Sequence, residues 1–116
     1  MLIEDEDHVL EITTYMLEML GYDVLGVKTG MEAVDIARTF DGDIDLAILD
    51  IGLPDINGKD IYPFLMQFRP LLKAIVCSGL SIDSPAQSLL DAGAQGFLQK
   101  PFSLSRLSET LKEILE

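Results

Sequence analysis

Five side chains capable of chemistry follow short apolar runs. Glu4 and Asp5 follow Met1-Leu2-Ile3, Asp50 follows Leu46-Ala47-Ile48-Leu49, Ser78 follows Ala74-Ile75-Val76-Cys77, and Lys100, just ahead of Pro101, follows Gly96-Phe97-Leu98-Gln99. Each run is too short for a helix and is bounded by polar or turn residues, the pattern of buried parallel strands. In an open α/β sheet, ligands bind outside the carboxyl ends of the strands, so these groups are expected at one edge. Three carboxylates against one ammonium raise one another's pKa unless a cation compensates. An all-oxygen donor set, without His or Cys, suits a hard ion such as Mg²⁺. Such an ion beside a lysine and a hydroxyl makes a phosphoryl site. A single strand-end acid is commonly no more than a loop cap; it is the assembly of five that points to chemistry.

Helices between the runs must hold these groups in place. Val9, Ile12, Met16 and Met19 recur at three and four residues and predict an amphipathic helix over 7–20, with Gly21 at C′. Thr29 with Glu32 is a capping-box pair opening a second helix to about Phe40. A third helix covers 59–69, with Pro63 near its first turn and Pro70 as its stop. Ser84-Pro85, with Gln87 three after the Ser, caps a fourth that Gly93 ends. Ser103 opens a fifth whose apolar face is Leu104, Leu107, Leu111, Ile114 and Leu115. Val24 to Val27, interrupted by Gly26, is the remaining strand. A β-α unit repeated five times predicts an α/β fold: a five-stranded parallel sheet between helical layers, three layers in all, with right-handed crossovers.

Composition narrows the classes further. The 116 residues suit one domain, and 48% hydrophobic content supports a core. There is no internal repeat, low-complexity tract or linker, no signal-peptide pattern, and no apolar run near the ~20 residues of a membrane span. One cysteine excludes an internal disulfide and, with a single His, a Cys/His zinc site. The formal net charge of −12 argues against nucleic acid and anionic membrane as direct partners. That charge is uneven: residues 1–58 hold 14 acids and 2 bases, residues 59–116 hold 6 of each.

Glu4-Asp5-Glu6, the stretch Leu49-Asp50-Ile51-Gly52-Leu53-Pro54-Asp55-Ile56-Asn57-Gly58, Ser78-Gly79 and Lys100-Pro101-Phe102 resemble, in order and spacing, the motifs of the response-regulator receiver domain of two-component signalling. The resemblance covers essentially the whole chain and implies a flavodoxin-like (βα)5 fold with strand order 2-1-3-4-5. It implies that Asp50 is the phosphoacceptor, taking a phosphoryl group from a phosphohistidine on a histidine kinase or histidine phosphotransfer domain. It implies Mg²⁺, or Mn²⁺, held by Asp5, by Glu4 directly or through water, by Asp50 and by the backbone carbonyl of Gly52. Lys100 would pair with the phosphoryl oxygens after a cis peptide to Pro101, and Ser78 would hydrogen-bond the phosphoryl group. Phe97 matches the switch aromatic, which turns inward when Ser78 is drawn to the phosphate. The surface of the fourth helix, fifth strand and fifth helix then changes for a downstream protein or domain, or for a phosphorylation-dependent dimer. Such a domain catalyses its own phosphoryl transfer and dephosphorylation.

Three features depart from the family's common pattern. Glu4 stands where Asp is usual. Gly52 replaces a side chain that often overhangs the site. Only three residues precede Glu4, short for a first strand, so residues 1–116 are expected to be one receiver domain cropped at its amino end. Gly93 to Phe102 resembles receivers at the carboxyl end of hybrid histidine kinases, which favours that origin over a free-standing receiver or the amino-terminal part of a regulator. The expected location is the cytoplasm, including the cytoplasmic part of a membrane-bound sensor kinase.

His8 reads as solvated surface, since the phosphodonor histidine of this family lies on another protein or domain. Cys77 faces away from Ser78 by strand alternation and reads as core. Three rival functions fit less well. A Mg²⁺-dependent phosphatase of the haloacid-dehalogenase type needs an Asp at position 52. A flavodoxin-like cofactor binder needs a phosphate-cradling loop where Glu4 to Asp7 would repel phosphate. A phosphorylation-independent interaction module would not need the intact Asp50, Ser78 and Lys100.

Overall fold

The computed structural model describes residues 1–53, 55–56, 58–79 and 84–115, with backbone alone for Gly58, Lys59, Ser84 and Pro85. Its elements alternate as expected: β1 (Leu2–Ile3), α1 (Asp7–Met19), β2 (Gly26–Val27), α2 (Gly30–Thr39), β3 (Leu46–Asp50), α3 (Gly58–Phe68), β4 (Lys73–Ser78), α4 (Ser84–Asp91), β5 (Gly96–Gln99) and α5 (Leu104–Leu115). All strand pairs are parallel and the order is β2-β1-β3-β4-β5. The direction of strand progression therefore reverses between β1 and β3, and it is outside such a reversal that a crevice opens.

Alternation along the strands divides the core in two. Ile48, Ile75, Cys77 and Leu98 pack with Leu17 of α1 and Leu107 and Leu111 of α5. Leu49 and Val76 point the other way, against Ala33 and Ala37 of α2, Ile61 and Leu65 of α3, and Leu89 of α4. Each buried Leu or Ile contributes about 2 kcal/mol. A one-residue slip of β3 would exchange its two faces and turn Asp50 away from the crevice, so core packing also fixes the site's register.

The helix ends follow the local chemistry. Thr29 Oγ1 accepts from the Glu32 N–H at 3.1 Å, and Ser103 Oγ from the Arg106 N–H at 3.1 Å. Gly21 and Gly93 take positive φ, 92° and 123°, after α1 and α4. The cap expected at Ser84 and Pro85 involves side chains outside those described, and the Gln87 amide donates forward to Asp91 at 2.9 Å. Pro63 lies beyond the first turn of α3, inside the helix. The complete burial of Ile61 and Leu65 on either side of it offsets the hydrogen bond that proline removes. Among the described residues no helix is long and apolar enough to cross a membrane.

Candidate functional site

The site forms where the ends of β1, β3, β4 and β5 meet. Asp50 closes β3 opposite Cys77 of β4, and Ser78 closes β4 opposite Gln99 of β5. Glu4 prolongs β1, its N–H donating to the Val27 carbonyl at 3.0 Å. The Lys100 N–H donates to the Ser78 carbonyl at 2.7 Å, which ties the end of β5 to β4. The Lys100-Pro101 peptide is cis.

These placements bring the expected acids together. One carboxylate oxygen each from Glu4, Asp5 and Asp50 lies within 4.8 Å of the others. Glu4 and Asp50 are buried, 3% and 8% exposed, while Asp5 is half-buried. Lys100 Nζ donates to Glu4 Oε1 at 2.6 Å and lies 3.5 Å from Asp50 Oδ2. The second oxygen of Glu4 accepts from the Glu6 N–H at 3.1 Å, at the start of α1. The second oxygen of Asp50 accepts from the Gly52 N–H at 3.2 Å. Glu4 thus joins the lysine to the first helix, a tie its identity at this position does not announce.

Electrostatics follow from this crowding. Burial pushes the Asp50 carboxyl up to about 6; the Lys100 charge pulls it back, and the Glu4 charge adds to the rise. Burial works against the Lys100 ammonium, but its hydrogen bond to Glu4 and the charges of Asp50 and Glu4 outweigh it and raise its pKa. Three carboxylates around one lysine are short of positive charge. Their donors are all hard oxygens, so the set fits a Mg²⁺-like cation.

A cleft of about 620 Å³ opens over the cluster, lined among others by Asp5, Thr13, Asp50, Gly52, Gly79 and Lys100. At Gly52 and Gly79 nothing lies within 4 Å of where a Cβ would be, so neither position roofs the site. Ser78 is 8% exposed and stands at the same strand edge. Phe97, half-buried beside Val76, packs against the core facing α2, α3 and α4. His8 is exposed. Cys77 is 4% exposed, and burial pushes its thiol up to about 12, which makes it a poor nucleophile.

Two neighbours of the site escaped sequence reasoning. Thr13 is buried on α1 and lines the cleft; its place four residues after Val9, on the apolar stripe, was the available signal. Asp55, on the loop after β3, accepts from the Gly30 and Met31 N–H groups at 2.9 and 3.0 Å. No local pattern announces partners so far upstream.

Comparison with known proteins agrees with this geometry. Residues 1–112 match the model of the response regulator receiver domain. The chain is 36% identical over 116 residues to the sensor kinase CckA of Brucella abortus (strain 2308), spanning all of this chain but only 12% of that protein. It is 26% identical to the polar-differentiation response regulator DivK of Brucella ovis, over 99% of this chain and 94% of that one. The crystal structure of the receiver domain from the hybrid histidine kinase CckA superposes with a TM-score of 0.83 at 30% identity, covering 99% of this chain and 96% of that one. The receiver domain of sensor histidine kinase PA1611 from Pseudomonas aeruginosa PAO1, solved with a magnesium ion in its active-site cleft, gives 0.85 at 25% identity, covering 98% and 93%. With its fold, its strand-end acids and lysine, and these relatives in agreement, the chain belongs to the response regulator receiver domain family of two-component signalling.

Proposed function

We propose that this receiver accepts a phosphoryl group on Asp50 from a phosphohistidine of a histidine kinase or histidine phosphotransfer domain. The observation that carries the reading is the convergence of Glu4, Asp5, Asp50 and Lys100, with acid oxygens within 4.8 Å and the lysine 2.6 Å from Glu4 and 3.5 Å from Asp50.

The Asp50 carboxylate attacks phosphorus directly. The new bond is O–P, the broken one is P–N, and the imidazole nitrogen leaves with the electron pair. With its carboxyl near 6, Asp50 is mostly ionised at neutral pH and needs no general base. Asp5, Asp50, the Gly52 carbonyl and Glu4 would hold Mg²⁺ or Mn²⁺. When bound, that ion neutralises charge on the transferring group. Lys100 turns its ammonium from Glu4 toward the phosphoryl oxygens, and the open positions at Gly52 and Gly79 admit the donor.

The product carries about −2 at Asp50 with new acceptor oxygens. Ser78 donates its hydroxyl to them, Phe97 moves into the space behind β4, and the α4–β5–α5 surface changes for a downstream partner or a second receiver. The phosphodonor docks at α1, which borders the cleft and exposes Ile12, Tyr15 and Met19 amid acids of the charged half.

Incubation with acetyl phosphate and Mg²⁺ followed by intact mass measurement tests the reading. The expected result is a gain of about 80 Da, one phosphoryl group, in the wild type and none in Asp50→Asn. No adduct, or one that survives the substitution, would refute it.

A further inference from the structure

The first turn of a helix leaves N–H groups without partners inside the helix. In α2, Thr29 Oγ1 takes the Glu32 N–H, but the preceding two are taken from outside: Asp55 Oδ1 accepts from Gly30 at 2.9 Å and Oδ2 from Met31 at 3.0 Å. Asp55 lies 25 residues beyond Gly30, on the loop joining β3 to α3. Loop and helix meet without slack. A Cβ on Gly30 would stand 1.9 Å from Ile56 Cγ2 and 2.8 Å from Ile61 Cδ1. The helix dipole favours a carboxylate at this end, and the two N–H groups hold the Asp55 carboxyl below its usual range.

The same loop carries Gly52. Its N–H donates to Asp50 Oδ1 at 3.2 Å, and its carbonyl is the backbone ligand assigned above. Gly52 has no side chain, and nothing lies within 4 Å of where one would begin. Its position must therefore be set by its neighbours. Leu53 is 7% exposed, Ile56 packs on the core, and Asp55 grips α2.

We propose that Asp55 is a positioning residue for the phosphoacceptor site. By pinning the β3–α3 loop to the first turn of α2 it fixes the Gly52 carbonyl and the Gly52–Asp50 hydrogen bond, and so sets the affinity for the divalent ion. The proposal rests on reading the acids as a metal site, so its test has one readout with metal and one without.

Asp55→Ala removes both bonds. Asp55→Asn keeps the shape but turns one acceptor into a donor. Thr29→Ala weakens the same helix end while leaving the clamp in place. Amide NMR titration with Mg²⁺ gives the affinity, and ¹⁵N relaxation of Ile51 and Gly52 in metal-free protein gives the order of the loop. Asp55→Ala is expected to weaken Mg²⁺ binding about tenfold, the low end for groups that hold a ligand in place, and to loosen Gly52. Asp55→Asn should do less of both, and carries the comparison if Asp55→Ala does not fold. Thr29→Ala should lower the unfolding midpoint yet leave affinity and loop order as in the wild type.

Wild-type affinity and wild-type order in the Asp55 variants, or equal effects of Thr29→Ala, would overturn the proposal. If the wild type shows no Mg²⁺ response that Asp5→Asn abolishes, the metal reading falls, and Gly52 order alone then decides for or against the clamp.

Discussion

The two halves of the chain, paired along β3 and β4, are joined at the site by one lysine. Residues 1–58 hold 14 acids against 2 bases and supply Glu4, Asp5 and Asp50; residues 59–116 hold 6 of each and supply Ser78, Phe97 and Lys100. In the sheet the division falls between β3 and β4. Lys100 crosses it, reaching Glu4 over 96 positions of sequence at 2.6 Å. The contrast teaches a division of labour. One half concentrates negative charge that a single ammonium at the site only partly offsets, and the other presents Ser78 and Phe97, the groups proposed above to respond to a change in that charge.

Removing the crossing is the strongest way to break that division. Lys100→Met leaves buried Glu4 and Asp50 without their cation, and breaking such a pair costs about 3 kcal/mol. Chemical denaturation with a chelator present should show this loss, and added Mg²⁺ should return part of it. An unchanged midpoint would mean that the acids do not depend on Lys100.

Removing charge from the acidic half should do the reverse. The folded Asp50 carboxyl sits at about 6, above its ordinary 3.8, so folding disfavours its charged form. That penalty is absent below pH 3.8, grows through the window to about 6, and is complete above it. Metal-free Asp50→Asn should therefore exceed the wild type above pH 6 by up to roughly 3 kcal/mol and lose its advantage in acid. Denaturation across that window checks the sign, and a wild type more stable than the variant at neutral pH would reverse the account.

A smaller effect tests whether the charge contrast is confined to the strand ends. Thr29→Ala, in the acidic half but outside the cluster, should cost about 1 kcal/mol. Its stability difference from the wild type should stay constant across the same pH range. The smallest effect concerns docking. Phosphotransfer from a histidine donor should change roughly threefold as ionic strength rises from about 0.05 to about 0.5 M. Target binding at the neutral α4–β5–α5 surface should change less, and equal salt dependence of the two would count against separate faces.

The architecture was legible because it rests on short-range signals. Apolar runs of strand length, the caps at Thr29 and Ser103, and glycines at Gly21 and Gly93 each report a local conformation, and their succession implies the sheet. The acids, Ser78 and Lys100 were legible for the same reason, each lying within two residues of the end of a run. Boundaries were less so. Only Gly26–Val27 pairs out of the run from Val24, and β4 extends over Lys73–Ser78, because ladder pairing depends on the neighbouring strand. The meeting of these groups at one sheet edge was legible, but the individual long-range bonds were not. Nothing near Glu4 says that its carboxylate will bridge Lys100 and the Glu6 N–H, and nothing near Asp55 names Gly30 and Met31 as partners. The Glu4–Lys100 and Asp55–Gly30 contacts join positions 96 and 25 residues apart, and only the closed fold brings them together.

On the proposed function, a change of charge at Asp50, in the acidic half, is read by residues of the neutral half. Beryllofluoride with Mg²⁺, which mimics an aspartyl phosphate at such a site, tests it through the backbone amide spectrum. Large shifts are expected at Ser78 and Phe97 in the wild type, and their loss in Asp50→Asn. Shifts confined to Glu4, Asp5 and Asp50, with Ser78 and Phe97 unmoved, would contradict it.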